Sequence, residues 1–154
     1  MAAPSALQFY ANNIDIEKLS DLSANIFMSL HSSTYTPDTT NTGHTVYANL
    51  TNELANGNGY TTGGVSLSAP TLAAFLTTGF KFSTGNASWT ASGAGIPAWR
   101  YGVIYYSGAL WGVTSPLLAY FTGDSAPADV PLTAAGNTLQ VTCPANGWFT
   151  VTRT

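Results

Sequence analysis

Residues 53–67 read ELANGNGYTTGGVSL, with Gly57, Gly59, Gly63 and Gly64 crowded around Tyr60. Such a run has two physical uses. It can cradle a phosphate, or it can supply the positive φ angles that tight turns need. A phosphate loop requires a lysine and then Ser or Thr after its last glycine, at a strand-to-helix junction. Here Gly63-Gly64 leads into Val65-Ser66-Leu67, and no lysine lies between Lys18 and Lys81. A dinucleotide fingerprint needs a helix starting within the glycines and a parallel sheet. The residues after Gly64 alternate instead: Val65, Leu67 and Ala69 against serines. The four residues are therefore turn glycines feeding a strand.

Working outward, the same period of two recurs. Ile26, Met28 and Leu30 alternate with Phe27, Ser29 and His31. Phe80 and Phe82 flank Lys81, and Leu139, Val141 and Cys143 alternate with Thr138, Gln140 and Thr142. Trp148 with Thr150 opposes Phe149 with Val151. Turn signals such as Pro37-Asp38, Gly85-Asn86, Gly123-Asp124, Gly136-Asn137 and Asn146-Gly147 separate the runs. The expected fold is all-β: an antiparallel β-sandwich, jelly-roll or immunoglobulin-like. Strands are expected near 26–33, 65–72, 79–84, 99–107, 116–122, 138–143 and 147–153.

Two of these strands are apolar on both faces. In 99–107, Trp99, Tyr101, Val103 and Tyr105 oppose Ile104 and Tyr106; in 116–122, Leu117, Ala119 and Phe121 oppose Leu118 and Tyr120. Both faces then need cover. A loop, the N-terminal arm or another subunit could supply it, and tyrosine-rich faces favour the last. Tyr105, Tyr106 and Tyr120 are thus candidate interface residues. Helical spacing is confined to residues 14–26 and to 45–57, where Val46, Leu50 and Leu54 predict a turn or two ending at Gly57. Residues 1–23 lack alternation and read as an extended N-terminal arm, with Leu7, Phe9, Tyr10 and Ile14 needing burial on a partner. Residues 24–154 form one sandwich domain.

Only 7% of the residues are charged, whereas 45% are hydrophobic. About 25% charged is usual. Charge keeps a free monomer from associating, so much of this neutral surface is expected to be covered. The net charge is −3, and the four basic residues (Lys18, Lys81, Arg100, Arg153) are scattered. No nucleic-acid footprint results. No apolar run is long enough for a membrane span, and the first residues lack the pattern of a secretory signal. Cys143 is the lone cysteine, so an intrachain disulfide is impossible.

Catalytic chemistry is sparse. His31 and His44 have no neighbouring His or Cys at metal-ligand spacing. Acidic residues cluster in the arm, and no G-x-S-x-G elbow occurs. No enzyme activity, metal or cofactor is expected. Between Thr39 and Gly123 the only charges are Glu53, Lys81 and Arg100. A guanidinium inside an apolar strand must pair or reach solvent, and a Glu53–Arg100 ion pair is the sharper expectation.

The order NIFMSLHSSTYTPD, YANLTNELANGNGYTTGGVSL, ASWTASGAGIPAWRYGVIYYSG and SPLLAYFTG, over roughly residues 24–123, resembles a family of small proteins encoded in the structural-gene regions of tailed bacteriophages and prophages. Its marks are a strand ending in S-x-Y-x-P-(D/N), an N-E-(L/V)-x-G-x-G-Y-x-x-G-G segment, W-T-x-S, and A-R-Y-x-V-I-Y followed by S-P-L. Trp99-Arg100 departs from the family's Ala-Arg, and the arm is longer. The resemblance implies a virion component. On the phage head it would be a capsid decoration or cement protein, made in the host cytoplasm. Its partners would be the major capsid protein and further copies of itself, as a trimer or similar. The alternative is a receptor- or glycan-binding module of a tail fibre, spike or head fibre. Trp111, at the tip of SGALWGVT, would then contact the sugar.

Overall fold

A computed structural model describes residues 8–9, 25–40, 42–76, 79–110, 112–124, 126 and 128–152. Twelve strands occur among them: β1 (Gln8–Phe9), β2 (Ile26–His31), β3 (Val65–Ser66), β4 (Thr71–Phe75), β5 (Gly79–Ser83), β6 (Ala87–Thr90), β7 (Tyr101–Tyr106), β8 (Ala109–Leu110), β9 (Val113–Thr114), β10 (Leu117–Thr122), β11 (Thr138–Val141) and β12 (Phe149–Thr152). Every pairing between them is antiparallel. The central sheet runs β1-β10-β7-β2-β3, with smaller sheets β12-β5-β4, β11-β6 and β8-β9. The chain is an all-β sandwich.

The main core follows from the alternation. Ile26, Met28 and Leu30 of β2, Ile104 of β7, and Leu118 and Phe121 of β10 turn to one face of the central sheet. There they meet Leu67, Phe82, Ala87, Trp89, Leu139, Val141 and Trp148 from the facing layer. Phe121 and Trp148 stack with centroids 5.7 Å apart. Each such side chain contributes about 1.5–3 kcal/mol when fully buried.

The other face of the sheet is also buried, and the chain's own loop covers it. Residues 32–64 fold back across β2, β7 and β10. One end of the loop is held beside β2, where Ser32 N–H donates to Asn52 O (3.0 Å) and Leu54 N–H to Leu30 O (2.9 Å). The other is held at the β9–β10 corner, where Tyr47 N–H donates to Ser115 O (2.8 Å) and Leu117 N–H to Thr45 O (3.0 Å). Beneath it Tyr35, Val103, Tyr105 and Leu117 form a second core, with Phe27, Tyr47, Leu50, Tyr101 and Tyr120 packed at its margin. This corrects the reading of Tyr105 as an interface residue. Its ring stacks on Tyr47 (centroids 4.5 Å) and its hydroxyl donates to Gly63 O (2.7 Å). Tyr106, on the opposite face, packs half-buried against the main core, and Tyr120 is half-buried at the margin of the second.

β10 departs from simple alternation. Leu117 pairs with Tyr105 but Ala119 already pairs with Ile104, so Leu118 is an extra residue, a β-bulge. Beyond the bulge the parity reverses. Leu117 and Tyr120 share the loop-side core, while Leu118 and Phe121 share the main core. The expected grouping of Leu117 with Phe121 is therefore wrong.

The run 45–57 makes only a 3₁₀ turn over Tyr47–Asn49. Asn49 Oδ1 accepts from Thr45 N–H (3.1 Å) and Val46 N–H (3.0 Å), which closes the turn. Leu50 is already extended, so the leucines continue along a loop. Expected strand 65–72 is two strands, β3 and β4, broken at Ala69 (φ 47°). Within the expected arm, Gln8 and Phe9 pair with Tyr120 and Ala119 of β10. Leu7, Tyr10 and Ile14 lie outside the described residues, as do most of the rest of the arm and the expected helical run near its end.

Candidate functional site

At the edge of the loop-side core lies a half-buried polar centre built around Glu53. The glycine-rich turn brings three donors to one carboxylate. Tyr47 O–H donates to Oε2, while Tyr60 O–H (2.6 Å) and Gly63 N–H (2.6 Å) donate to Oε1. Tyr60 O–H in turn accepts from Leu30 N–H at 3.0 Å, tying the turn to β2. The four turn glycines all have positive φ (131°, 92°, 95° and 75° for Gly57, Gly59, Gly63 and Gly64). At Gly64 geometry leaves no alternative, because a Cβ there would lie 1.7 Å from Met28 O. Likewise a Cβ at Gly59 would lie 2.0 Å from Thr90 O. These glycines bring backbone against backbone, and the amide of Gly63 faces a carboxylate of its own chain rather than a phosphate.

The environment around Glu53 holds its tyrosines protonated. Burial, and then the bond to Glu53, pushes the Tyr47 and Tyr60 hydroxyls far above the ordinary tyrosine range. Burial, with the charge of Glu53 behind it, pushes Tyr105 up to about 12. Charge-assisted bonds of this kind are stronger than neutral ones. With its oxygens already occupied, the carboxylate is an organiser of the loop rather than a free base.

Next to it lies a Ser–His pair. Ser29 and His31 alternate onto the loop side of β2 and are fully buried. His31 Nδ1 is 2.8 Å from Thr51 O, an acceptor only, so Nδ1 carries the proton and donates. Nε2 then accepts from Ser29 O–H at 2.9 Å. Burial holds the His31 pKa below its ordinary value, against the Thr51 bond and the Glu53 charge, which raise it. The pair has the contact of a nucleophile and its base. Neither side chain has any exposed surface through which a substrate could approach. The imidazole packs on Tyr35 (centroids 4.8 Å), and Tyr35 O–H donates to His44 Nδ1 at 3.0 Å.

Glu53 and Arg100 do not pair. Arg100 Nε donates to Asp129 Oδ1 at 2.7 Å, with the two side chains 28% and 37% exposed. Arg100 follows Trp99, which forms an isolated antiparallel bridge with Val130, and that segment delivers Asp129. Asp129 lies just outside the charge-poor stretch from Thr39 to Gly123 that drew attention to Glu53, although it is nearer to Arg100 in the chain, 29 positions away. Glu53 was recognisable as the acid of a charge-poor region. Its tyrosine partners carried a signal too, since Tyr47 and Tyr60 bracket it in the chain. Ser29 and His31 were recognisable only as sharing one face of a strand.

Among the described residues no group of three His, Cys, Asp or Glu side chains is placed to hold a metal. Cys143 is half-buried, its N–H donating to Asn86 Oδ1 at 3.0 Å. Trp111 lies outside the described residues; the hairpin β8–β9 flanks it. No protein-family model matches the chain, and neither a curated protein nor a solved structure matches it at a significant level.

Proposed function

We propose that this chain is a virion structural protein of a tailed phage, a capsid decoration or cement protein that binds the major capsid protein and stabilises the head. The reading rests on the sequence pattern shared with phage structural proteins. One observation supports it most. In a chain only 7% charged, the ionisable groups at the centre of the domain are consumed internally. Glu53 takes three donors, His31 two partners, and Arg100 is held by Asp129. What the fold offers outward is a largely neutral β surface, suited to binding protein rather than to turning over a substrate. Contact through such a surface is driven by apolar burial and is insensitive to screening.

Purified virions provide the test. Attachment of the protein should survive molar salt, and particles stripped of it should lose DNA sooner under heat or osmotic shock. Stripped particles as robust as complete ones would refute the cement role. Loss of adsorption to host cells in a Trp111→Ala phage, with particle robustness unchanged, would establish the glycan-binding alternative instead.

A further inference from the structure

The sheet β12-β5-β4 ends at β4, whose far edge meets no other strand among the described residues. Natural edge strands are blunted by charge, proline, bulges or brevity. β4 has none of these. It reads Thr71-Leu72-Ala73-Ala74-Phe75, five uncharged residues in unbroken register with β5, and its first four are exposed. By contrast β3, at the edge of the central sheet, has only two residues.

The same hairpin also exposes apolar side chains. Leu72 (42% exposed) and Leu76 (73%) are two of the three exposed large hydrophobic side chains among the described residues. Leu76 also sits at φ 55°, the left-handed region where Gly or Asn is ordinary and a leucine is strained. A strained, exposed leucine at a turn is better explained by what its side chain touches in an assembly than by the isolated fold.

We infer that β4 pairs, antiparallel, with β4 of a second copy of this chain, about a twofold axis at Ala73. The sequence fits itself in that register. Ala73 meets its own equivalent, Leu72 meets Ala74, Thr71 meets Phe75, and Leu76 meets Pro70. Small residues fall at the centre, each large side chain on a face opposes a small one, and no charge is opposed by a like charge. Pro70 lacks an N–H and bounds the pairing at five residues. The product is a continuous six-stranded sheet, β12-β5-β4 joined to its twofold mate. It carries Leu72, Ala74, Phe80 and Val151 on one face in both copies, because cross-strand partners share a face. This contact is independent of what the protein binds on a particle.

Sedimentation equilibrium of the full chain across concentration tests the pairing. Wild type should dimerise reversibly. Ala73→Lys places two ammonium groups face to face beside Lys81 and its mate, and should weaken the dimer at least about tenfold. Because Ala73 is exposed, circular dichroism should show an unchanged fold. In a Cys143→Ser background, Ala73→Cys should form a disulfide dimer on mild oxidation, whereas Leu132→Cys, exposed elsewhere, should not. A wild-type chain monomeric at its highest concentration, an Ala73→Lys chain that associates as wild type does, or equal cross-linking from both cysteines would overturn the inference. A monomeric wild type whose attachment to particles is lost on Ala73→Lys would assign the edge to another protein's strand, and also overturn it.

Discussion

Replacing Glu53 with alanine removes the acceptor for three donors at once, and the magnitude can be worked from their burial. Tyr60 is almost wholly buried, so its hydroxyl proton loses its partner with no water to replace it. An orphaned buried donor costs about 1–3 kcal/mol. Tyr47 and Gly63 are half-buried and can turn to solvent, so each of their charge-assisted bonds is counted at or below the low end of about 1.5–3 kcal/mol. The sum is about 3–5 kcal/mol, a large share of the roughly 5–15 kcal/mol that holds a typical domain together. At about 2–4 °C per kcal/mol for a chain of this size, Tm should fall by roughly 6–20 °C. Urea unfolding followed by tryptophan fluorescence measures the loss. Glu53→Gln keeps an acceptor and should lose less than half as much. Glu53→Ala combined with Tyr60→Phe should cost less than the sum of the two by at least about 1 kcal/mol, since they share one bond. A loss below about 1 kcal/mol for Glu53→Ala, or additivity with Tyr60→Phe, would refute the carboxylate as the organiser of the loop.

The same neighbourhood sets further expectations. Tyr47, Tyr60 and Tyr105 all have folded pKa values above the ordinary 10, so their contribution is intact below about pH 10 and is lost as pH rises through the folded values. Ultraviolet titration should show these hydroxyls ionising late and together with base unfolding; reversible ionisation of every tyrosine near pH 10 would contradict the buried network. His31 has a folded pKa depressed below 6.5, so its contribution is present above about pH 6.5 and is lost as pH falls through the folded value. The loss of stability between about pH 6.5 and pH 5 should be shallower in His31→Gln, and equal slopes would place the imidazole in solvent. Arg100→Ala breaks a partly exposed pair and should cost only about 0–1 kcal/mol, with no coupling to Glu53→Ala in a double-mutant cycle.

The strands that could be read from the chain are those whose faces differ. β2, β5, β11 and β12 each set apolar against polar positions, and each forms near where alternation puts it. β6 (Ala87–Thr90) alternates as well, with Ala87 and Trp89 buried and Ser88 and Thr90 exposed, but it is not among the expected strands because its alternating run is only four residues between turn and loop segments. The two-faced strands β7 and β10 announced a second buried face, but alternation does not say what fills it. Tyrosine serves an interface and an internal core equally well, because its hydroxyl accepts any nearby partner, and here Gly63 O supplied one to Tyr105. The polar centre was half legible. Glu53 drew attention by its isolation, yet its partners are hydroxyls and an amide, which carry no charge to count. Asp129 is nearer to Arg100 in the chain than Glu53 is, but it lies outside the charge-poor stretch, and the bridge of Trp99 to Val130 that delivers it leaves no mark in the sequence.

The bulge at Leu118 acts on β10 as a single inserted letter acts on a reading frame. Every residue after it, as far as Thr122, is read by the opposite side of the sheet. Straightening the strand with Leu118 kept in the ladder would leave full pairing and the wrong message, offering Tyr120 to the space shaped for Phe121. The hydroxyl would enter the dry main core beside Trp148, and the phenyl ring would move under the loop. Deleting Leu118 does the opposite: Ala119 stays opposite Ile104 and Phe121 opposite Gly102, so the pairing survives and what is lost is the side chain that the inserted residue adds to the main core.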